Sequence, residues 1–281
     1  MQFVDFSYEQ QSNRDNIKII DTLQTNINEQ EKEYLEKRKK IEEQNEIDSL
    51  RLDNVLNDAL KIANENINKE KFYKKYEVLF DSVFNVYVEI NLDYHFTKNH
   101  PHLIIHRCDI GDIYIDIYYK NENKFEKVVS HKQWSLTYTS DTIRDINGDG
   151  LKDFVVNWYG NTGCCLKAFS NVYLLRSDKK TFSNDFEFIN PTFSPKEKII
   201  RGICYGHPGE TEMYKYKWNG ERIDTLEYVF YEKNDNGEKT GKIIISDTPP
   251  NYNNKILKRL NSVPNEYKKI ENYDWFANEW Y

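Results

Sequence analysis

The sequence predicts an α+β protein with a long N-terminal helical segment, a mostly antiparallel β domain and a short C-terminal helical tail. Three observations lead there. Residues 11–71 contain neither Gly nor Pro. From about residue 72 the apolar positions alternate with period two. Aromatic residues make up 15% of the chain, 21 of them Tyr, beside only four Ala (Ala59, Ala63, Ala168, Ala277), which favours strands over a helical bundle. The expected boundaries are 1–71, 72–248 and 249–281. A length of 281 residues allows one large or two modest domains.

In the first segment Ile20, Ile27, Tyr34 and Ile41 recur at steps of seven, with Leu23 and Leu35 beside them. Arg38 and Asn45 interrupt the second apolar row, and the register shifts before Leu50, Leu52, Val55, Leu56, Ala59, Leu60, Ile62 and Ala63. This predicts a solvated helix whose second half docks on the body, with a coiled coil for homo-oligomerisation as the competing reading. In the middle segment Val83, Val86 and Val88, then Ile113, Ile115 and Ile117, alternate with polar or Tyr positions. Turns are predicted at Asn121-Glu122-Asn123, Ser177-Asp178-Lys179-Lys180, Asn219-Gly220 and Asn236-Gly237, the third as a type I′ hairpin. After Pro249-Pro250, the spacing of Ile256, Leu257, Leu260, Tyr267, Ile270, Trp275, Phe276 and Trp280 predicts a helical tail whose aromatic face packs on the β body.

Thirty-nine Lys+Arg stand against 46 Asp+Glu, a net charge of -7. That balance supplies no general grip on a phosphate backbone, so nucleic acid is not an expected partner. No run approaches the ~18 apolar residues of a membrane span, and residues 1–5 show neither a basic nor an apolar leader pattern. Cys108, Cys164, Cys165 and Cys204 all lie in the middle of the chain and allow three pairings. Adjacent side chains normally diverge, so Cys164 and Cys165 would bond to Cys108 and Cys204 rather than to each other, if disulfides form at all.

One motif carries a mechanism. Residues 145–153, DINGDGLKD, follow the pattern D-x-N-x-D-G-x-x-D. Asp145, Asn147, Asp149 and Asp153 place side-chain oxygens at positions 1, 3, 5 and 9, and the Leu151 carbonyl stands at position 7. Hard oxygen donors in this order are what Ca²⁺ requires, and Gly150 permits the sharp turn that aims them at one centre. Three close carboxylates repel one another until a dication neutralises them, so metal binding and loop ordering should be coupled. Position 12 is Val156 instead of the bidentate Glu of an EF-hand. Leu136, Tyr138 and Thr142 before the loop and Phe154-Val155-Val156-Asn157-Trp158 after it predict flanking strands.

Across residues 144–159 the loop and its following strand resemble the calcium-binding repeat of FG-GAP and VCBS proteins. The motif occurs once, and about 175 residues of β pattern cannot supply a seven-bladed ring at ~40–45 residues per blade, so a propeller fragment, meander or sandwich is implied. With the Gly-rich strand end and the Tyr-x-Trp-Asn-Gly hairpin at 216–220, the chain also resembles, more loosely, calcium-loop β domains of bacterial envelope proteins, some similar to periplasmic lysozyme inhibitors. That resemblance implies a periplasmic or extracellular protein-binding module that inhibits a secreted cell-wall hydrolase as an immunity protein. In this reading calcium is architectural and orders the nearby segment 160–165 as part of a binding rim.

Two other readings compete. The first is a structural subunit of a surface or secretion assembly that oligomerises through the N-terminal helix. The second is a metal-dependent hydrolase built on His95, His100, His102 and His106. On a strand His102 and His106 stand ~13 Å apart and cannot share one ion, leaving His100 with His102, or His106 with Cys108, as local pairs. The 160–163 turn lacks a phosphate-binding helix after it. In the loop 205–210, His207 and Glu210 stand near enough for acid–base chemistry, but a plain loop is the simpler reading. No catalytic constellation emerges.

Overall fold

The computed structural model describes residues 6–80, 84–250 and 255–278, with side chains described from residue 31 onward. The chain forms two compact units, Met1–Asn57 and Asp58–Tyr281. A helix, α1 (Phe6–Glu65), begins in the first and ends in the second. Among its described side chains, Tyr34, Leu35, Ile41, Ile47 and Leu50 are exposed, and Lys37–Glu33, Arg38–Glu42 and Lys39–Glu43 form i,i+4 ion pairs. Such pairs support an exposed helix by only a few tenths of a kcal/mol each. Ile20, Leu23 and Ile27 lie outside the described side chains. Within the second unit the last turns bury Ala59 and Ala63, and Asn66 closes the helix by donating its side-chain amide to the Ile62 carbonyl at 2.8 Å.

Among the described residues, fifteen strands follow, forming three antiparallel meanders in chain order. The first sheet contains β1 (Phe72–Leu79), β2 (Asn85–Asp93), β3 (His102–Cys108), β4 (Asp112–Asn121) and β5 (Lys124–Trp134). The second contains β6 (Tyr138–Arg144), β7 (Asp153–Tyr159), β8 (Ala168–Tyr173) and β9 (Phe186–Ile189). The third runs through β10 (Pro191–Ser194), β11 (Ile199–Ile203), β12 (Met213–Trp218), β13 (Ile223–Lys233), β14 (Lys239–Ser246) and β15 (Ile256–Leu260). Between β10 and β11 lies a short 3₁₀ turn, Pro195–Glu197, and near the C-terminus a second helix, α2, spans Tyr273–Ala277.

Period-two alternation explains how the sheets stack. Phe154 and Val156 of β7 face a core shared with Ile104, Ile115, Ile117 and Val129 of the first sheet. Val155 points the other way, into a core with Ile200, Tyr214 and Trp218 of the third. The Phe-Val-Val run is continuous because both faces of β7 are covered. Ile203, Met213, Val229, Ile243 and Ile245, on the far face of the third sheet, meet Val263, Tyr267, Ile270, Trp275 and Phe276.

All four predicted turns occur. Asn121 pairs with Lys124 around Glu122 at φ 47°, Gly237 takes φ 81°, and Leu175 bridges Phe182 across 176–181. The 218–223 hairpin differs in detail: only Gly220 of its central pair has positive φ, 61°, as in a type II′ turn instead of type I′. The tail departs further from expectation. Ile256 to Leu260 form an edge strand paired with β14, because two adjacent apolar residues and a third three positions on fit either period and the open edge of β14 offers hydrogen bonds. Among the described residues of the tail, helix is confined to Tyr273–Ala277, and the aromatic residues there pack on the β body. Val83 and Trp280 lie outside the described residues.

Candidate metal centre

The acidic loop joins β6 to β7, with Arg144 paired to Asp153 across its mouth. Gly148 and Gly150 take φ of 75° and 86°, a left-handed backbone that L side chains resist. Asp145 accepts the Gly148 amide through Oδ1 at 2.7 Å and the Gly150 amide through Oδ2 at 3.0 Å. Asn147 Oδ1 accepts the Asp149 amide at 3.0 Å, and its Nδ2 donates to Asp149 Oδ2 at 3.1 Å. Asp149 Oδ1 accepts the Leu151 amide at 2.8 Å. These local bonds wind the chain around its own carboxylates. Gly148 also lies against the 3₁₀ turn: a Cβ there would stand 2.0 Å from the Pro195 carbonyl oxygen.

Asp153 behaves differently from the other three. It is fully buried, and its two oxygens accept the Ile146 and Leu175 amides, each at 2.9 Å. Burial pushes its carboxyl up to about 7; the two amides oppose that rise, while the charges of Asp149 and Asp145 add to it. The structure thus joins Asp145, Asn147 and Asp149 in one network and turns Asp153 toward the base of the loop. Leu151 packs its side chain on the core between the first and second sheets. The donors are hard oxygens, each amide-bonded carboxylate oxygen keeps a lone pair, and a cation would offset the mutual repulsion that Asp153 feels. Hard oxygens are the donor type a dication of the calcium class takes, but among the described residues the Asp145, Asp149 and Asp153 carboxylates do not gather into one three-ligand cluster.

Segment 160–165 does not adjoin this loop. It follows the opposite end of β7, six residues and therefore ~20 Å away, so any effect of the loop on it must pass along the strand. At that end the turns are laced together. Ser135 donates its amide to the Gly111 carbonyl at 2.9 Å and its hydroxyl to the Ile110 carbonyl at 3.1 Å. The Thr137 amide donates to the Trp134 carbonyl, and the Tyr159 amide to the Thr137 carbonyl at 2.7 Å. Ile110, Trp134, Leu136 and Tyr159 are all exposed there.

The four histidines near β3 find separate surroundings. His95 Nε2 lies 3.3 Å from the Asn91 carbonyl, and His106 Nε2 lies 3.0 Å from Asp141, which also accepts the Tyr138 hydroxyl. His102 is fully buried among Phe96, Tyr119 and Phe182, with Nδ1 3.2 Å from the His100 carbonyl, and burial lowers its pKa to about 4. Among the described residues they form no three-ligand cluster. The pairing of His207 with Glu210 is not built either: Glu210 instead holds Lys233.

All four cysteines are free thiols. Cys164 and Cys165 do not diverge, since their Sγ atoms lie 3.9 Å apart and Cys164 Sγ stands 3.6 Å from His207 Nδ1. Gly163, with φ 88°, directly precedes the pair. The two Gly-containing segments, 160–163 and 205–210, were visible in the sequence, but not that they meet. Comparison with family models, with curated proteins and with solved structures finds no match.

Proposed function

We propose that this chain is a calcium-stabilised protein-binding module, and that its use is inhibition of a secreted cell-wall hydrolase in the bacterial envelope. The observation that carries the reading is the loop at 145–153, where Asp145, Asn147 and Asp149 share one hydrogen-bonded turn above a fully buried Asp153. Ca²⁺ would be held by Asp145, Asn147, Asp149, Asp153 and the Leu151 carbonyl, supplying positive charge and cross-linking the loop to the start of β7. The protein's own part is to brace that loop on Pro195 and to carry its rigidity along β7. The exposed residues Ile110, Trp134, Leu136 and Tyr159 supply an apolar rim of the kind that protein interfaces use.

The test is thermal unfolding of the full chain with calcium and with a chelator. Calcium should raise the midpoint, and Asp149→Ala should remove that rise while leaving the chelated protein folded. An unchanged calcium-dependent shift in the variant overturns the reading. Leu136→Glu should then weaken hydrolase inhibition without touching the calcium response.

A second reading rests on a separate observation, the exposed Tyr34, Leu35, Ile41, Ile47 and Leu50 along α1. Of these, Tyr34 and Ile41 stand seven residues apart on one face and would suit helix pairing between copies in a surface assembly. Light scattering of the full chain should then report an oligomer that Ile41→Glu dissociates; a monomer at all concentrations removes this alternative.

A further inference from the structure

We propose that Cys164, Cys165 and His207 form a binding site for a thiophilic metal ion of the zinc class, separate from the acidic loop. Their ligand atoms all lie within 4.8 Å of one another. Two of the three separations match one tetrahedral ion: with Zn–S near 2.3 Å and Zn–N near 2.0–2.1 Å, two thiolates stand about 3.8 Å apart and a thiolate and an imidazole about 3.6 Å. The observed distances are 3.9 Å for the two sulfurs and 3.6 Å from Cys164 Sγ to His207 Nδ1. One exposed and one buried thiol thus converge on a single imidazole.

Each arm of the site is held from outside. Cys165 is buried in the core beneath the third sheet, beside Ile203 and Met213. The buried Asn190 fastens the next residue by donating its side-chain amide to the carbonyls of Leu166 at 3.2 Å and Ile203 at 3.0 Å. The Gly160 amide donates to the Lys167 carbonyl at 2.9 Å and closes the loop that presents both thiols. On the other side, a turn in which the Glu210 amide reaches the His207 carbonyl at 3.0 Å carries the imidazole. Trp275 of the C-terminal tail clamps that turn at two points: its indole donates to the Gly206 carbonyl at 3.0 Å and its carbonyl accepts the Gly209 amide at 2.8 Å. Three segments distant in sequence therefore meet to position two sulfurs and one nitrogen.

On binding, each thiol gives its proton to solvent as its S–Zn bond forms, and neutral His207 donates the Nδ1 lone pair with its proton on Nε2. Two thiolates neutralise the dication. Cys164 and His207 are exposed while Cys165 is buried, so a fourth position would face solvent and take water or an incoming donor, the pattern of a site that reacts or exchanges instead of a closed structural one. Sulfur and imidazole select zinc-class ions over the hard ions that suit the acidic loop, so the two sites are chemically independent.

The full chain, reduced and freed of metal, is titrated with Co²⁺ and then with Zn²⁺. One equivalent of cobalt should bring thiolate-to-cobalt charge-transfer absorption and tetrahedral d–d bands, both bleached by one equivalent of zinc. Cys164→Ser, at an exposed position, should remove most of the charge-transfer intensity. His207→Ala should lower zinc affinity at least about tenfold, and Asp149→Ala should leave the cobalt spectrum unchanged. Absence of charge-transfer bands, or bands and affinity unaltered in Cys164→Ser and His207→Ala, overturns the proposal; circular dichroism of each variant checks that its fold is intact.

Discussion

At the scale of single residues, the energetics concentrate on a few buried polar groups. Asp116 sits on β4, almost wholly buried, and accepts Arg107 at 2.8 Å, Lys127 at 2.9 Å and the Ser130 hydroxyl at 2.8 Å. Removing one partner of a buried pair costs far more than the pair contributes net, because the other charge stays desolvated. Asp116→Ala is therefore expected to lower unfolding free energy by about 3–5 kcal/mol in urea titration. His102 makes a second prediction. The folded chain keeps it neutral down to about pH 4, whereas an unfolded imidazole takes up its proton near 6.5. The unfolded state binds more protons between those values, so this contribution is complete above pH 6.5 and is lost as pH falls toward 4, by about 3 kcal/mol in all. His102→Gln should flatten the stability profile across that window.

Residue-level chemistry was partly legible in the sequence. The order Asp145, Asn147, Asp149 with Gly150 leads to the expectation of calcium donors aimed at one centre and a loop ordered by metal; in the structure these short side chains also bond the loop's own backbone amides, which that expectation does not include. The burial of Asp153 could not be read so, since the Leu175 amide that it accepts lies 22 residues on. The Cys164–Cys165–His207 cluster was hidden for the same reason: adjacency in sequence suggested divergence, and His207 lies 43 residues away.

At the scale of elements, turns and strand alternation were the clearest signals and the C-terminal tail the poorest. Hairpins at Gly220 and Gly237 follow from a need for positive φ, which local sequence declares. Ile256, Leu257 and Leu260 carry no such mark; the choice of strand over helix belongs to the unpaired edge of β14. The contact of the acidic loop with the 3₁₀ turn is equally non-local and gives an element-scale prediction. Gly148→Ala would need a left-handed Ala whose Cβ sits 2.0 Å from the Pro195 oxygen, so the loop or the turn must shift. We expect a loss of at least about 2 kcal/mol, read from the urea midpoint, whereas Ala at Gly150, where a Cβ would meet nothing within 4 Å, should cost less.

At the scale of the whole molecule, the second unit stacks three meanders so that the middle sheet is covered on both faces. Composition and period two announced antiparallel sheets; the stacking order could not be read, because Phe154, Val155 and Val156 show only that both sides are apolar. The arrangement puts the acidic loop at one end of β7 and the thiol–imidazole cluster beyond the other. Chelation of a hard ion and of a soft ion should therefore have additive effects on stability, as expected for well-separated sites.

Equilibrium dialysis of the full chain against radiolabelled calcium tests the central claim most directly. One ion should be retained per chain, and Asp145→Ala and Asp149→Ala should each reduce retention to background. No retained calcium in the native chain, or one ion still held by both variants, would contradict the account.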